Sequence, residues 1–475
     1  MKRIIIFFSI IFAFSYHSEA QKEWSLQKCI EYALENNIQI KQQLLNTDLS
    51  KANLDQSKAS VLPNINGSAS HAYNYGRTVD MYTNQFATER VQSNNFYLSG
   101  NITVFNGFQI LNSIKQNQLN LIASKYDVDK TRNDIALSIA SAYLQILFNI
   151  ELLEITKNQF LITEQQVNRT KILVDAGTFA KGSLLNIEAQ ASSEELQKVN
   201  AENNLTLSYL TLTQMLDLDS ANVSGFEIEK PMLNISKDNA LSMSSSLIYS
   251  NALSTLPEIK SAEIKLKSSE IGLSLARGSL YPNLSLRGSI GTGYSGASKK
   301  ISGYQMNGLD TIAYTFEPIP KPVVSPSVDP IFETTSFNKQ INDNINKSIG
   351  LYLTVPIFNN FQTKTNISRA KINIKNAEYN LQLTKNSLNK SIQQAYADCK
   401  GALNKYNASL KTVDALEESF KYFQQKFDVG MVNSIDYNDA KNKATKAKSD
   451  LLQAKYEYVF RLKILDFYQG KAITL

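Results

Sequence analysis

Histidine is nearly missing from this chain of 475 residues: there are two, and His17 lies in the opening apolar stretch, which leaves His71. A histidine-built metal site or a His-based triad therefore has nothing to draw on. Cysteine is as scarce. Cys29 and Cys399 lie far apart, each on an expected helix, so two packed thiols are anticipated rather than a disulfide or a metal pair. There is no phosphate loop, no HExxH, no CxxC and no carboxylate pair in a cleft-like context. No catalytic residue, cofactor or metal is assigned, and an enzyme is not expected. The formal charge of +6 comes from 49 basic and 43 acidic residues without a basic cluster, so nucleic acid is not an expected partner. Beyond the first twenty residues no run of eighteen apolar residues occurs, so no transmembrane helix is expected.

Residues 1–20 read as a secretory signal. Lys2 and Arg3 are followed by the apolar run Ile4 to Phe14, then Ser18-Glu19-Ala20 supplies small residues for cleavage. A short membrane anchor is the alternative. No cysteine follows the cleavage point, which argues against a lipoprotein anchor.

Glycine and proline are absent from Gln109 to Ala176, and this stretch organises the chain. At ~1.5 Å per residue a single helix of that length would reach ~100 Å, too long for most globular domains to bury. Its apolar residues form two seams at steps of three and four. Ile135, Ile139, Tyr143, Ile146 and Ile150 make one, and Leu137, Ala140, Leu144 and Leu147 the other. Two seams ask for a neighbour on each side, as in the wall of a helical tube.

Ahead of it, Leu26 to Leu62 reads as a helix capped by Ser25 and broken by Pro63. Alternation follows. Ile65, Gly67, Ala69, His71 and Tyr73 oppose Asn64, Asn66, Ser68, Ser70 and Asn74, a strand with one apolar and one polar face. A polar loop, Gly76 to Asn95, leads to a second strand, Phe96 to Phe105, with Phe96, Leu98, Ile102 and Val104 on one side. After the long helix come Gly177 and Gly182, a return helix Ser183 to Leu216, and an irregular linker, Asp217 to Asn239.

Then the order recurs. Ala33-Leu34 returns as Ala252-Leu253, and Leu62-Pro63-Asn64-Ile65 as Tyr281-Pro282-Asn283-Leu284 at the same displacement. From the second strand onward the displacement is larger and again constant. Val104-Phe105-Asn106 matches Ile357-Phe358-Asn359, and Gly177 matches Gly430. The extra residues fall in Gly296 to Asn344, a proline-rich insert expected to be coil, ahead of a fourth strand, Ile345 to Phe358. A second long helix, Gln362 to Val429, and a return helix, Ser434 to about Tyr468, complete the duplication. The expected organisation is a signal over 1–20, one repeat over 21–239 and a second over 240–475. Four strands cannot close a barrel, and open edges are not tolerated in a bilayer, so two-faced strands in a secreted chain imply an oligomer. Three copies are consistent with closure, though periodicity does not settle the number.

The two Pro-Asn strand starts, the junctions Val104-Phe105-Asn106-Gly107-Phe108 and Ile357-Phe358-Asn359-Asn360-Phe361, and the glycine turns at Gly177 and Gly430 resemble the TolC family of outer-membrane efflux and secretion channels. The resemblance spans nearly all of the chain after the signal. It implies an α+β membrane protein: a homotrimer whose twelve-stranded β-barrel in the outer membrane is continued by a long periplasmic α-helical barrel. It implies a passive exit duct of a tripartite efflux or type I secretion system. A periplasmic adaptor (membrane fusion) protein would dock on the hairpin tips, with an inner-membrane RND or ABC pump behind it. The alternative is a structural or adhesive coiled-coil envelope protein without a pore.

Asp436 and Asp439 share one helix face six and nine residues after Gly430. By resemblance they are the pore constriction, a carboxylate ring for cations; alternatively they suit the positive end of a helix dipole. The first repeat has Ser183 and Asn186 there, so any ring comes from the second repeat. Where family members carry a gate-locking Arg this chain has Val432. The tips, Gly177, Gly182, Gly430 and Val432, are candidate adaptor contacts, or simply helix terminators.

Overall fold

The computed structural model describes residues 23–474 apart from 89, 219–224 and 232–242. The expected signal and most of the linker lie outside the described residues. The chain forms two compact units. One comprises Met1–Lys51, Leu119–Lys267 and Lys375–Leu475, the other Ala52–Gln118 and Ser268–Ile374. Each draws on both halves of the sequence.

Eight of the helices among the described residues come in equal pairs. Leu26–Asn36 (α1) and Ser245–Thr255 (α5) have 11 residues each. Ile38–Ala59 (α2) and Pro257–Gly278 (α6) have 22. Gln109–Asp175 (α3) and Gln362–Asp428 (α8) have 67, and Lys181–Met215 (α4) and Ser434–Tyr468 (α9) have 35. The continuous helix expected over Leu26 to Leu62 is broken at Asn37, whose backbone is extended (φ −60°, ψ 130°). The Asn37 carboxamide oxygen caps α2 by accepting from the Gln39 amide (2.9 Å), and its NH2 donates to the Met215 carbonyl (3.0 Å). The second repeat breaks at Leu256 (φ −72°, ψ 134°), where Pro257 opens α6 in the position proline tolerates best. Periodicity continued through Asn37 because a single extended residue shifts the helix axis without disturbing the apolar spacing.

In the helical unit, α3 buries Ile135, Ala142, Asn149, Thr156, Thr163 and Thr170, one residue every seven, and α4 buries Ile187, Glu194, Ala201 and Ser208 at the same interval. A seven-residue repeat is the coiled-coil period. The upper half of the α3 seam is aliphatic and centred on Ile139, Tyr143 and Ile146, each fully buried. The Tyr143 hydroxyl ties down two segments that are bridged to each other, meeting the carbonyls of Trp24 (3.0 Å) and Glu229 (2.7 Å) where the Glu229 amide donates to the Trp24 carbonyl (3.1 Å). Within Gln109–Asp175 an 18-residue window has a mean hydropathy of 1.6, apolar enough by length and composition to cross a bilayer although it is not an unbroken apolar run. Half of that window is buried in the protein, where Ile135, Ile139, Leu144 and Leu147 form core, so core packing accounts for its apolarity. Cys29 and Cys399 are buried free thiols, pushed up by burial to about 12 and about 11.

The strand unit holds one antiparallel sheet of Asn64–Asn74 (β1), Val91–Asn106 (β4), Asn283–Ser295 (β5) and Asn346–Thr354 (β8), in that spatial order. Strand β4 reaches back into the expected loop. Thr78–Val79 (β2) pairs with Phe86–Ala87 (β3) within it. Strand β8 stops before the expected Phe358, because Pro356 has no N–H for a ladder.

The insert is not coil. Lys299–Tyr314 (β6) and Pro322–Thr334 (β7) form a long two-stranded ribbon, followed by Phe337–Asp343 (α7). Its prolines at 322, 326 and 330 are four apart, so all three aim their missing N–H the same way, toward the free edge of β7. Composition alone read them as breakers because it carries no information on which edge is free.

Candidate functional site

The sheet sorts its residues by face. Directly opposed pairs join Asn66, Ser99, Ser289 and Ser348 in one row, and Asn101, Arg287 and Gly350 in another. Tyr97 and Tyr352 belong to this polar side, and the Arg287 guanidinium lies 4.9 Å from the Tyr352 ring. Ser289 and Ser348 share a hydroxyl hydrogen bond of 2.8 Å. The opposite face carries Ile102, Leu286 and Leu351 in one row and Leu98 and Ile290 in the next, which ends on Lys347 of the outer strand. A bulge between Thr103 and Phe105 then moves Phe105 opposite Leu284, so the apolar side ends on Phe105 rather than on Val104. Among the described residues, both outer strands, β1 and β8, have one unpaired edge.

Each strand-to-helix junction passes through two successive residues with positive φ: Gly107 (64°) and Phe108 (62°), then Asn360 (51°) and Phe361 (59°). The same edge-to-face ring pair braces both, Phe105–Phe108 at 5.4 Å and Phe358–Phe361 at 5.5 Å.

In the helical unit, Gly177 (φ 76°) and Gly430 (φ 78°) end α3 and α8. Amides of Thr178 and Met431 reach back to the carbonyls of Leu173 (2.9 Å) and Lys426 (2.8 Å), the pattern of a left-handed helix stop. Gly182 lies inside α4, so the first tip is Ala176 to Ala180 and is shorter than expected. Val432 is half-buried and packs on the cluster of Ile187, Phe427 and Tyr437. Val429, Met431 and Ile435 instead stand exposed at this tip. Asn433 caps α9 through the Ile435 and Asp436 amides, both at 2.9 Å. Asp436 and Asp439 are exposed, and Asp439 pairs with Lys443 at 2.7 Å, one turn on.

Two polar links were not foreseen. Arg169 on α3 meets Asp428, the last residue of α8, at 2.6 Å. The sequence signal was Asp428 itself, since a carboxylate at a helix C-terminus opposes the dipole unless a cation is near. The second link is buried. Lys441 on α9 donates to both oxygens of Glu194 (3.1 and 3.2 Å) and to the Gln159 carbonyl (3.2 Å), with the Thr163 hydroxyl also bonded to each. Both charges are almost wholly out of water, at 4% and 1% exposure. Burial pulls the Lys441 ammonium below the usual lysine range against the opposing effect of Glu194. Among the described residues no cluster of three or more His, Cys, Asp or Glu could hold a metal.

A duplicated strand–hairpin fold with a two-faced sheet and a coiled-coil unit defines the class of an outer-membrane channel subunit. The family model described as outer membrane efflux protein matches residues 29–217 and 248–470, and the chain belongs to that family. It is similar to the outer membrane protein TolC of Escherichia coli, 21% identical over 462 residues that cover 94% of this chain and 81% of TolC. It is also similar to the outer membrane efflux protein BepC of Brucella suis, 19% identical over 90% of this chain and 81% of BepC. The crystal structure of the Campylobacter jejuni CmeC outer membrane channel has the same fold, with a TM-score of 0.76, 18% identity, and coverage of 96% of this chain and 88% of CmeC. The protein is an outer-membrane efflux family member of TolC-type fold, a channel family rather than an enzyme family.

Proposed function

We propose that this chain is the outer-membrane exit duct of an efflux or type I secretion system, passing cargo passively to the exterior as a homotrimer. The observation that carries the reading is the four-stranded sheet with one polar face, one apolar face and two free edges. In hydrocarbon each unpaired backbone group costs several kcal/mol, so the edges of one copy must be met by those of others. Three copies supply a twelve-stranded barrel with the Asn66–Ser348 row facing water and the Ile102–Leu351 row facing lipid. The helical unit is the periplasmic part of the duct. At its tips Asp436 and Asp439 line the constriction, and Arg169–Asp428 supplies the polar link that Val432 cannot. The adaptor protein docks on the tips around Gly177, Gly182 and Gly430, with the exposed Val429, Met431 and Ile435 as its apolar contacts. Behind it stands an inner-membrane RND or ABC pump.

The test is conductance. Purified protein added to a planar bilayer is expected to produce discrete ion-conducting steps. An adhesive or scaffolding coiled-coil protein produces none, and a silent but well-folded sample overturns the duct.

A further inference from the structure

The β6–β7 ribbon has no task in the duct as proposed. Its β6 strand has 16 residues and its β7 strand 13, and the register skips at three places along β6. Those skips keep one face clean. Strand β7 presents Val324, Pro326, Val328, Pro330 and Phe332 at every second position, while β6 presents Ile301, Tyr304, Met306 and Leu309 at alternating steps of three and two. The result is Ile301 opposite Phe332, Tyr304 opposite Pro330, Met306 opposite Val328 and Leu309 opposite Pro326, all on one side. Lys300 opposite Glu333, Gln305 opposite Asp329 and Asp310 opposite Ser325 take the other, together with the apolar positions Ile331 and Val323, which face Gly303 and Ala313. Without bulges the period-two rule would have thrown alternate apolar residues onto the polar side. The apolar side is uncovered, with Met306 at 68% and Leu309 at 63% exposure, and the tip adds Phe316 and Ile319. A two-stranded ribbon with a bare apolar face is at best marginally stable in water, so something covers it.

We infer that the apolar face of the β6–β7 ribbon lies on the lipid surface of the outer membrane, as a peripheral anchor beside the sheet. Two observations choose lipid over protein. The first is the root of the ribbon. Gln340 of α7 bonds the Ser295 backbone (2.9 and 3.0 Å) and the Thr335 carbonyl (2.8 Å), while Thr335 bonds the Ser298 carbonyl (2.8 Å). Phe337 of the same helix packs against Tyr294 at 5.5 Å and Phe96 at 6.4 Å. Those two rings stand in the apolar rows of the sheet, so the ribbon springs from the rim of the surface that an outer-membrane protein gives to lipid. The second is edge protection. Prolines guard the free edge of β7 and three bulges distort that of β6, which disfavours an added strand from a protein partner. What remains accessible is a broad face whose one charged side chain, Lys299 opposite Thr334, stands at the root of the ribbon, and whose tyrosines suit an interface.

The test uses the full chain reconstituted in vesicles of phosphatidylethanolamine and phosphatidylglycerol. Leu309→Cys and Asp310→Cys, on opposite faces, are each labelled with a polarity-sensitive fluorophore; the native thiols are buried and free. The Leu309 probe is expected to be blue-shifted and quenched several-fold more by doxyl-labelled lipid than the Asp310 probe, with aqueous iodide showing the reverse order. Equal quenching of the two, stronger iodide quenching at position 309, or a disulfide between Leu309→Cys copies before labelling overturns the inference; the last result assigns the face to a second copy. Conductance of both labelled variants certifies that the sheet is folded, so a failed anchor is distinguishable from a failed duct.

Discussion

At the scale of single residues the buried Lys441–Glu194 pair is the most consequential. Removing one partner of a buried pair strands the other charge, at about 3–5 kcal/mol, while replacing both with apolar groups of similar volume is often neutral. Lys441→Met should therefore lower thermal stability in detergent sharply, and adding Glu194→Leu should restore most of it. If the single variant is as stable as wild type, the pair is solvated. Each half of this contact left a trace in the sequence. Lys441 interrupts the seam of Tyr437, Ala440, Ala444 and Ala447, and Glu194 sits in the heptad row of α4. Their pairing was not legible, because they lie 247 positions apart on different repeats. The exposed aspartates are the converse case: their spacing was readable, but their surroundings were not. Lys443 offsets Asp439, so Asp436 should carry more of any cation block. Replacing both with Ala is expected to abolish block of single-channel current by multivalent cations, and Asp436→Ala alone should remove more than half. Unchanged block in the double variant removes these residues from the pore.

At the scale of elements the strand-to-helix junctions decide where the rods begin. Gly107 is held by strain and by space. A Cβ there would sit 2.2 Å from the Gly278 carbonyl oxygen, on top of the ~1–2 kcal/mol that a left-handed backbone costs an L-residue. Gly107→Ala should thus be destabilising by several kcal/mol and deplete the protein from the outer membrane. At the matching Asn360, φ is 51° and asparagine tolerates it, so Asn360→Gly should change the melting temperature by no more than a few degrees. A harmless Gly107→Ala would mean the junction relaxes. Long helices, their glycine stops and the duplication were legible because each is a local pattern repeated at constant displacement. The Asn37 break was hidden by the unbroken apolar spacing. The ribbon was hidden because proline tolerance depends on which strand edge is free, a fact of pairing and not of composition.

At the scale of the molecule the question is what meets the free edges of the sheet. All of β1 is exposed, and so is nearly all of β8, although alternation gave both strands a face to bury. Copy number could not be read from periodicity, because one chain carries the strands but not the partner edge. If copies join edge to edge, the outward N–H groups of β8 are as necessary as those bonded to β5. Successive strand residues aim their N–H groups at opposite neighbours, so Ser348→Pro and Ile349→Pro remove one of each. In a closed oligomer both variants should lose assembly, read as conversion of a three-chain species to single chains by native mass spectrometry in detergent. If β8 were a true edge, only the proline facing β5 would matter, and its neighbour would assemble and conduct like wild type. Two equal failures therefore support closure through β8, whereas a single failure places the subunit contact elsewhere.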